Sequence, residues 1–341
     1  MLHAVITTIQ EPTDSVRMLV EKVSALNGRL VVAGDSKGPA AYDGPDNAVW
    51  PVDFLSLEDQ LSAGFSLAAK LPTKHYSRKN IGYLHAIRAG ATCIYETDDD
   101  NAPNERWAPL SEWMTKGRIV AGAGNRWVNV YKYFTSEHIW PRGLPLDEIR
   151  AEAPPFETNN SPRRSPIQQG LVDGSPDVDA IWRLTLDREF SFDSESSIFL
   201  APGNWCPFNT QTTWWWPLAF PLLYVPSHCS FRMCDIWKSF IAQRCLWAMN
   251  LGIVFHPSEV FQLRNPHDLT LDFRDEIPGY SNNRLIAEIL EAENLSADPA
   301  DVSSNLRLCY QRLVDHAIFP RNELPLVDSW LDDCASARGT P

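Results

Sequence analysis

The sequence predicts an α/β protein with a mostly parallel sheet, and two observations support this fold class. In the first third of the 341-residue chain, apolar residues alternate between strand-like and helix-like spacing, as expected for a parallel sheet covered by helices. An apolar run over residues 93–97 then leads directly into three consecutive carboxylates, Asp98, Asp99 and Asp100. Because open α/β sheets bind ligands at the carboxyl ends of their strands, we expect this triplet beside a ligand cleft.

The first third is predicted to follow the order β-α-β-α-α-β. Asp14 is a good N-cap for the first helix, and the second strand ends just before Gly34 and Asp35. Asp35 is therefore expected at the same sheet edge as the acidic triplet. The predicted bounds are 2–9 (strand), 14–26 (helix), 29–33 (strand), 57–71 (helix) and 78–89 (helix), followed by the strand that carries the acidic triplet, within residues 93–101.

Beyond residue 105 the pattern is less regular, with short strands mixed with turn residues over 167–225. Amphipathic helices finish the chain, and we separate them as a helical extension, residues 266–341, packed on a main domain of residues 1–265. The helices predicted in this part cover 235–250, 306–318 and roughly 324–331, with a further helical pattern from Asn282 onward.

Composition and charge restrict the functional class. A hydrophobic content of 44%, with 13 Trp and 15 Phe, is enough for a sizeable core. The excess of 43 acidic over 30 basic residues argues against a general nucleic-acid or anionic-membrane binder, whose affinity depends on phosphate neutralisation. Seven cysteines without a CxxC pair favour a reducing compartment. We expect neither a signal peptide nor a membrane span, because no apolar stretch is long enough.

The acidic triplet is predicted to hold a divalent cation. In extended backbone alternate side chains share a face, so Asp98 and Asp100 are expected to point together into the cleft while Asp99 turns away. Adjacent carboxylates repel one another unless a cation sits among them. Hard oxygen ligands suit Mg²⁺ or Mn²⁺, and such an ion could in turn hold a diphosphate. The alternative is a solvated acidic turn, and the position at a strand end favours the ligand site.

Seven short motifs, each weak alone, follow one another along the chain in the order GDSK (34–37), RKNIGYL (78–84), ETDDDN (96–101), WPRG (140–143), PDVDA (176–180), PFNTQTT (207–213) and DIW (235–237). Together they resemble the STELLO-like glycosyltransferases and, more distantly, the reversibly glycosylated polypeptides that act as nucleotide-arabinose mutases. The resemblance spans most of residues 2–265. It implies a GT-A type nucleotide-sugar-binding fold, a nucleoside diphosphate sugar as donor and a divalent cation at an Asp-x-Asp motif.

The same resemblance implies roles for the acidic residues. Asp98 and Asp100 would hold Mn²⁺ or Mg²⁺, and Asp98 and Asp99 would contact the donor. Residues 1–105 would bind the nucleotide, and residues 106–265 the sugar and the acceptor. Asp235 would be the general base that deprotonates the acceptor hydroxyl if the transfer inverts the anomeric centre. Its alternative role is to cap the helix that follows.

Four further residues are candidates for contacts with the nucleotide. Thr8 and Asp35 end the first two strands and are candidates for nucleoside recognition, although an Asp after Gly34 also suits a turn. Arg78 and Lys79 open a helix, so they could add positive potential near the phosphates. The alternative for this pair is an ordinary solvated helix start.

Three more candidates come from the second half of the chain. Asn209 and Gln211 lie in a polar run flanked by tryptophans, a combination that suits carbohydrate, although core packing explains some of the aromatic residues equally well. His256 follows an apolar strand-like run and could complete the metal site, whereas a lone His is also commonly structural.

The leading hypothesis is a metal-dependent transferase that moves a sugar, with a UDP-linked sugar as the favoured donor, to a carbohydrate or other hydroxyl acceptor. A second hypothesis is a nucleotide-sugar mutase that glycosylates itself reversibly on an arginine, with Arg142, Arg163 and Arg164 as candidates. A third is a non-catalytic scaffold of a polysaccharide-synthesis complex. STELLO-type relatives carry a membrane anchor and act in the Golgi, so the expected location is cytoplasmic or, alternatively, that of a soluble domain from a Golgi-anchored protein.

Overall fold

The protein contains a large mixed β-sheet flanked by helices. The computed structural model describes residues 1–44, 50–122, 124–263 and 268–339. The predicted α/β class is confirmed. Within those ranges the strands are β1 (Leu2–Thr7), β2 (Arg29–Ala33), β3 (Val52–Leu55), β4 (Cys93–Thr97), β5 (Asn101–Pro103), β6 (Trp113–Met114), β7 (Gly117–Val120), β8 (Arg126–Trp127), β9 (Glu157–Asn159), β10 (Arg163–Arg164), β11 (Ile167–Asp173), β12 (Ile198–Leu200), β13 (Asn204–Trp205), β14 (Thr212–Trp215) and β15 (Ile253–Gln262). The helices are α1 (Asp14–Ser24), α2 (Leu57–Ser62), α3 (Lys79–Arg88), α4 (Ala180–Leu186), α5 (Cys234–Ala248), α6 (Leu269–Glu291), α7 (Val302–Asp315) and α8 (Leu324–Gly339).

The sheet order explains where the polar strand ends meet. Strands run in the order β3-β2-β1-β4-β14-β11-β15-β12-β7-β9, and β5 pairs with β15. The ladders β3-β2, β2-β1 and β1-β4 are all parallel. The carboxyl ends of β1, β2 and β4 therefore lie at one edge of the sheet, and antiparallel β14 brings its amino end to the same edge beside β4.

The predicted elements of the first third are present, with two differences. Strand β3 lies within the region predicted as a loop, where it extends the parallel sheet beside β2. The helix predicted over 57–71 ends at Ser62, because Gly64 takes a φ of +81° that a helix cannot continue. Its start is well defined, since Ser56 and Asp59 form a capping box.

The C-terminal helices α6, α7 and α8 pack on the rest of the chain. One apolar cluster runs without interruption from Val5 in β1 to Ala337 in α8. In α8, the Asp333 carboxylate accepts hydrogen bonds from the backbone N–H groups of Ser66 and Leu67, at 3.0 and 2.8 Å. The apolar core is thus continuous across residue 265. The division into a main domain, residues 1–265, and a helical extension, residues 266–341, stays a prediction.

A buried carboxylate just before α8 holds a distant loop. Glu323 accepts hydrogen bonds from the Tyr224 hydroxyl at 2.6 Å and from the backbone N–H groups of Ser227 and His228 at 3.1 and 2.9 Å. His228 Nδ1 lies 2.7 Å from the same carboxylate, and this ion pair raises the pKa of His228. The loop that leads into α5 is therefore fixed from the C-terminal end of the chain.

Across the described ranges, none of the helices has both the length and the apolar character needed to cross a bilayer.

Candidate active site

A cleft of about 520 Å³ opens at the carboxyl ends of β1, β2 and β4. It brings together seven of the residues predicted from the sequence, although they lie up to 227 positions apart in the chain. Four predicted residues, Arg78, Lys79, Asn209 and His256, are not among its lining side chains. The predicted residues that line the cleft are Thr8, Asp35, Asp98, Asp99, Asp100, Gln211 and Asp235.

The acidic triplet forms a turn instead of continuing the strand. Strand β4 ends at Thr97, and the chain turns through Asp98, Asp99 and Asp100 before β5 begins. All three carboxylates line the cleft, so the expectation that Asp99 would point away is wrong, because side-chain alternation applies only to extended backbone. The Thr8 hydroxyl donates to the Asp99 carboxylate and ties the end of β1 to this turn.

Asp98 is held by two side chains from the start of α3. Its Oδ1 accepts hydrogen bonds from the Tyr76 hydroxyl at 2.6 Å and from Lys79 Nζ at 2.9 Å. Tyr76 also bonds the Thr210 hydroxyl at 2.7 Å, and Lys79 donates to the Thr97 carbonyl at 2.6 Å. Lys79 is fully buried, so it orients Asp98 instead of reaching into the cleft. In the part of the chain that the structure describes, Asp98 Oδ2 has no hydrogen-bond partner.

Asp100 belongs to a chain of amide contacts. Its Oδ2 accepts from Gln262 Nε2 at 2.9 Å, and Gln262 Oε1 accepts from Gln211 Nε2 at 2.9 Å. Gln211 Oε1 is buried and has no partner among the described residues. Burial, together with the negative charges of Asp98 and Asp99, raises the pKa of Asp100 to about 7. A cation bound beside Asp98 and Asp100 would therefore favour the ionised form of this carboxyl.

The donor set suits a cation that is shared with a ligand. Over the described ranges, no group of three or more His, Cys, Asp or Glu side chains is arranged to hold a metal ion by itself. Mg²⁺ is commonly held by one or two carboxylates, with substrate phosphates and water completing its coordination. Asp98 and Asp100 supply two carboxylates, and the partnerless Gln211 Oε1 adds a hard oxygen in the same cleft. The residues fit such a shared ion and do not form an all-protein metal site.

His256 lies away from the triplet. Its two ring nitrogens are engaged by the Ser197 hydroxyl at 2.7 Å and by the Gln168 side-chain oxygen at 2.8 Å. Burial lowers its pKa to about 4, so the ring is neutral. On β15 it precedes Gln262 by six residues, which is up to about 20 Å along a strand. The structure thus does not bring His256 together with Asp98 and Asp100.

Arg78 and Asn209 stabilise the framework behind the cleft. The buried Arg78 guanidinium donates to Gln60 Oε1 at 2.8 and 2.6 Å and to the Ala68 carbonyl at 2.8 Å. Asn209 Nδ2 donates to Asp177 Oδ2 at 2.9 Å. Both side chains are buried and satisfied by the protein, which differs from the solvated helix start that was the alternative for Arg78.

On the opposite side of the cleft, Arg142 lies between two carboxylates. Its Nε and Nη2 donate to Asp177 at 2.8 and 2.9 Å, and its Nη1 and Nη2 donate to Asp235 at 3.0 and 2.8 Å. Although burial alone would lower it, these two carboxylates raise the pKa of Arg142. Asp235 lies in the first turn of α5, where its Oδ1 also accepts from the Ile236 N–H at 3.0 Å, whereas the N-cap position is Met233.

Asp35 connects the second strand to the segment before α3. Its Oδ1 accepts from the Ser36 N–H at 2.6 Å and its Oδ2 from the His75 N–H at 3.0 Å. Burial alone would raise the pKa of Asp35, but the backbone N–H groups of Lys74, Ser36 and His75 lower it on balance. An ionised carboxylate is thus held at the wall of the cleft.

Sequence reasoning missed Tyr76 and the pairing of Arg142 with Asp235. Tyr76 stands two residues before the RKNIGYL motif, and only the fold reveals that its hydroxyl reaches Asp98. Arg142 and Asp177 each lie in one of the recognised motifs, WPRG and PDVDA. The sequence signal for this pairing was the presence of one motif with an arginine, WPRG, and two motifs with aspartates, PDVDA and DIW. Arg142 and Asp235 contact each other although 93 positions separate them in the chain.

Comparison with known proteins supports the resemblance seen in the motifs. The family model described as STELLO glycosyltransferases matches residues 232–338, from the turn before α5 into α8. Two proteins of Arabidopsis thaliana, "Probable glycosyltransferase STELLO1" and "Probable glycosyltransferase STELLO2", are each 28% identical to the chain. These alignments cover 74% and 75% of this chain and 34% and 35% of the relatives. The chain thus spans about a third of the length of these curated relatives.

Proposed function

We propose that the chain, which is similar to the STELLO glycosyltransferases, transfers a sugar from a nucleoside diphosphate sugar, such as a UDP-sugar, to a hydroxyl acceptor. The observation that supports this proposal is a cleft at the strand ends that is lined both by the Asp98 to Asp100 turn and by Asp235. The family similarity supports a transferase, and the cleft supplies side chains suited to both substrates.

On the donor side, Asp98 and Asp100 would hold Mn²⁺ or Mg²⁺. When bound, such an ion supplies positive charge to the departing diphosphate. Tyr76 and Lys79 fix the orientation of the Asp98 carboxylate before the ligand arrives, which limits the reorganisation that binding requires. Asp35 and Thr8, at the ends of β2 and β1, are the side chains suited to accept from a base N–H or a ribose hydroxyl.

On the acceptor side, Asp235 is suited to be the general base of an inverting transfer. The acceptor oxygen would attack the anomeric carbon, the bond from that carbon to the diphosphate oxygen would break, and the hydroxyl proton would move to Asp235. Arg142 bonds both oxygens of this carboxylate, and the Ile236 N–H also donates to Oδ1 at 3.0 Å. Among the described residues Oδ2 accepts from Arg142 alone, so it keeps a lone pair for the acceptor. Phe231 lines the same cleft and is 56% exposed, so its ring is available to stack on a sugar.

The test is release of nucleoside diphosphate from a panel of nucleotide sugars by the purified protein with manganese and candidate acceptors. We expect Asp98→Asn and Asp100→Asn to lower the rate at least about 100-fold, since each removes a negatively charged ligand. Glu105→Gln is the matched control, because this exposed carboxylate lies just after the triplet and outside the cleft lining. Turnover that is unchanged by both Asp substitutions would refute the proposal.

The mutase alternative needs an arginine that can act as a nucleophile in the cleft. Arg142 is the candidate that lines it, and its guanidinium is protonated and bonded to Asp177 and Asp235. Arg163 and Arg164 lie on β10, outside the cleft lining, and Arg164 pairs with Glu112 at 2.8 Å. These contacts favour transfer to a separate acceptor. A stable single-sugar mass increase of the intact protein after incubation with donor would favour the mutase, and binding of donor without turnover would favour the scaffold.

A further inference from the structure

We propose that Lys74, assisted by Lys37, binds the diphosphate of the donor, in place of the Arg78 and Lys79 pair expected from the sequence. This inference rests on the proposed function and assigns the cations that complement its substrate. It starts from the charges that line the cleft. The acidic side chains there are Asp35, Asp98, Asp99, Asp100, Asp177 and Asp235, and the basic ones are Lys37, Lys74, Arg142, Arg183 and Arg232.

The three arginines of the cleft are already committed to the protein. Arg142 is bonded to Asp177 and Asp235. Arg232 pairs with Glu276 at 2.7 Å. Arg183 donates to the Ser175 hydroxyl at 2.8 Å and to the Pro176 carbonyl at 2.6 Å. Their charge is therefore used to stabilise the fold around the cleft.

Lys37 and Lys74 differ from the arginines because both are exposed. Across the described ranges neither takes part in an ion pair. Two cations thus remain available in a cleft whose net charge is otherwise negative. A diphosphate carries negative charge into this cleft, so it needs such cations in addition to any metal ion.

Lys74 occupies the segment that joins the two halves of the donor site. The backbone N–H groups of Lys74 and His75 donate to Asp35, the candidate for nucleoside recognition. Two residues after Lys74, the Tyr76 hydroxyl bonds Asp98, the candidate metal ligand. A diphosphate connects a nucleoside to the sugar, so it would lie between these two points, where Lys74 lines the wall.

The backbone at Lys74 supports a functional role. Its φ is +56°, in the left-handed region that non-glycine residues seldom adopt. Such a conformation has a free-energy cost and persists where the surroundings impose it, commonly at ligand sites. Here the N–H of the following residue, His75, is bonded to Asp35 at 3.0 Å, and Lys74 lines the cleft.

The experiment is calorimetric titration of the full chain with UDP and GDP in the presence of manganese, and with the corresponding nucleosides at millimolar concentration. For the better-bound diphosphate, we expect Lys74→Gln to raise Kd about tenfold and Lys37→Gln to raise it less, with nucleoside binding unchanged. Lys74→Arg, which keeps the charge, should stay within about threefold of the wild type. Lys116→Gln is the control, because Lys116 is an exposed lysine outside the cleft lining.

The outcomes separate this inference from the function on which it rests. If the wild type binds neither diphosphate, the proposed function fails and the inference fails with it. If the wild type binds a diphosphate and Lys74→Gln binds it equally well, the inference alone is overturned. Equal losses of nucleoside and diphosphate affinity in Lys74→Gln would also overturn the inference. Such a result would mean that Lys74 maintains the shape of the cleft near Asp35 and does not bind the diphosphate.

Discussion

At the scale of single residues, the partners of Asp98 show why burial could not be predicted from residue type. Lysine at a helix start is normally exposed, and both sequence interpretations of Lys79, a contact near the phosphates and a solvated helix start, required an accessible ammonium group. In the fold, Asp98 approaches from 19 residues away and gives the ammonium a buried partner. Arg78 is likewise satisfied by Gln60. Both assignments depended on contacts between distant segments, which local patterns do not contain.

Removal of the Tyr76 hydroxyl tests whether the orientation of Asp98 matters. We expect Tyr76→Phe to lower kcat/KM for the donor about tenfold, because a hydrogen bond to a charged group contributes about 1.5 to 3 kcal/mol. Steady-state kinetics with the active donor measures this effect. Tyr42→Phe is the control, since the buried Tyr42 hydroxyl has no partner among the described residues. Equal kinetics of the two variants would show that Asp98 needs no such support.

A second residue-scale prediction concerns Glu259, a buried carboxyl on β15. Burial raises its pKa from 4.5 to about 7, although hydrogen bonds from Thr212 and Trp214 oppose the rise. Because the folded-state pKa is the higher one, the associated stability is present below pH 4.5 and is lost as the pH rises through about 7. The free energy of unfolding should therefore fall by about 3 kcal/mol relative to Glu259→Gln over this window.

The Glu259 prediction is measured by urea unfolding of both proteins from pH 4.5 to pH 8. Tyr95, the ionisable side chain that interacts with Glu259, keeps its proton throughout this range because burial raises its own pKa. Parallel profiles for the two proteins would contradict the prediction.

At the scale of elements, periodicity predicted the long elements well and the short ones poorly. Strand β1, strand β4 and helix α5 were placed within a few residues of their observed bounds. Strand β3 has four residues and lies in a region rich in Gly and Pro, so its pattern was too short to detect. The turn at Asp98 to Asp100 was misjudged because these residues were treated as extended backbone, whereas β4 ends at Thr97 and Asp and Asn residues suit a turn.

A buried ion pair links two of these elements. Glu96 in β4 bonds Lys238 in α5 at 2.6 Å and Trp215 in β14 at 2.8 Å, and it also accepts from the Tyr83 hydroxyl in α3. Lys238 is buried, so the pair joins the strand that delivers the acidic turn to the helix that begins near Asp235. The two sides of the cleft are thus connected through the interior.

We expect Glu96→Gln to destabilise the protein by about 3 kcal/mol, because it leaves the Lys238 charge buried without its partner. The double variant Glu96→Gln with Lys238→Met should recover most of that loss, since the orphaned charge is removed. Denaturant unfolding of the four proteins of this cycle gives the coupling energy. A single Glu96→Gln variant as stable as the wild type would contradict the prediction.

At the scale of the whole molecule, the family match and the apolar core both include the C-terminal helices. The matched residues, 232–338, include α5 and reach into α8, so the match covers Asp235 together with the C-terminal helices. Their apolar residues belong to the same cluster as those of β1. Amphipathic spacing predicted these helices, whereas it could not show that they complete the main core.

Truncation after residue 265 tests whether the helices are a separate extension. We expect the shortened chain not to fold cooperatively, because it lacks the α8 contacts of Ser66 and Leu67 and the Glu323 carboxylate that holds Ser227. Circular dichroism with thermal unfolding measures this, and the full chain is the reference. A sharp unfolding transition of the truncated protein would support the division at residue 265.

The contacts of Glu323 with the loop at 224–228 have a consequence for how the shape of the cleft can change during evolution. That loop leads directly to Phe231 and Asp235, so α6, α7 and α8 influence this part of the cleft although none of their described residues lines it. Asp98 and Asp100 are held instead by Tyr76, Lys79 and Gln262. Amino-acid changes around Glu323 would therefore reshape the surroundings of Asp235 from a distance and leave the ligands proposed for the cation in place.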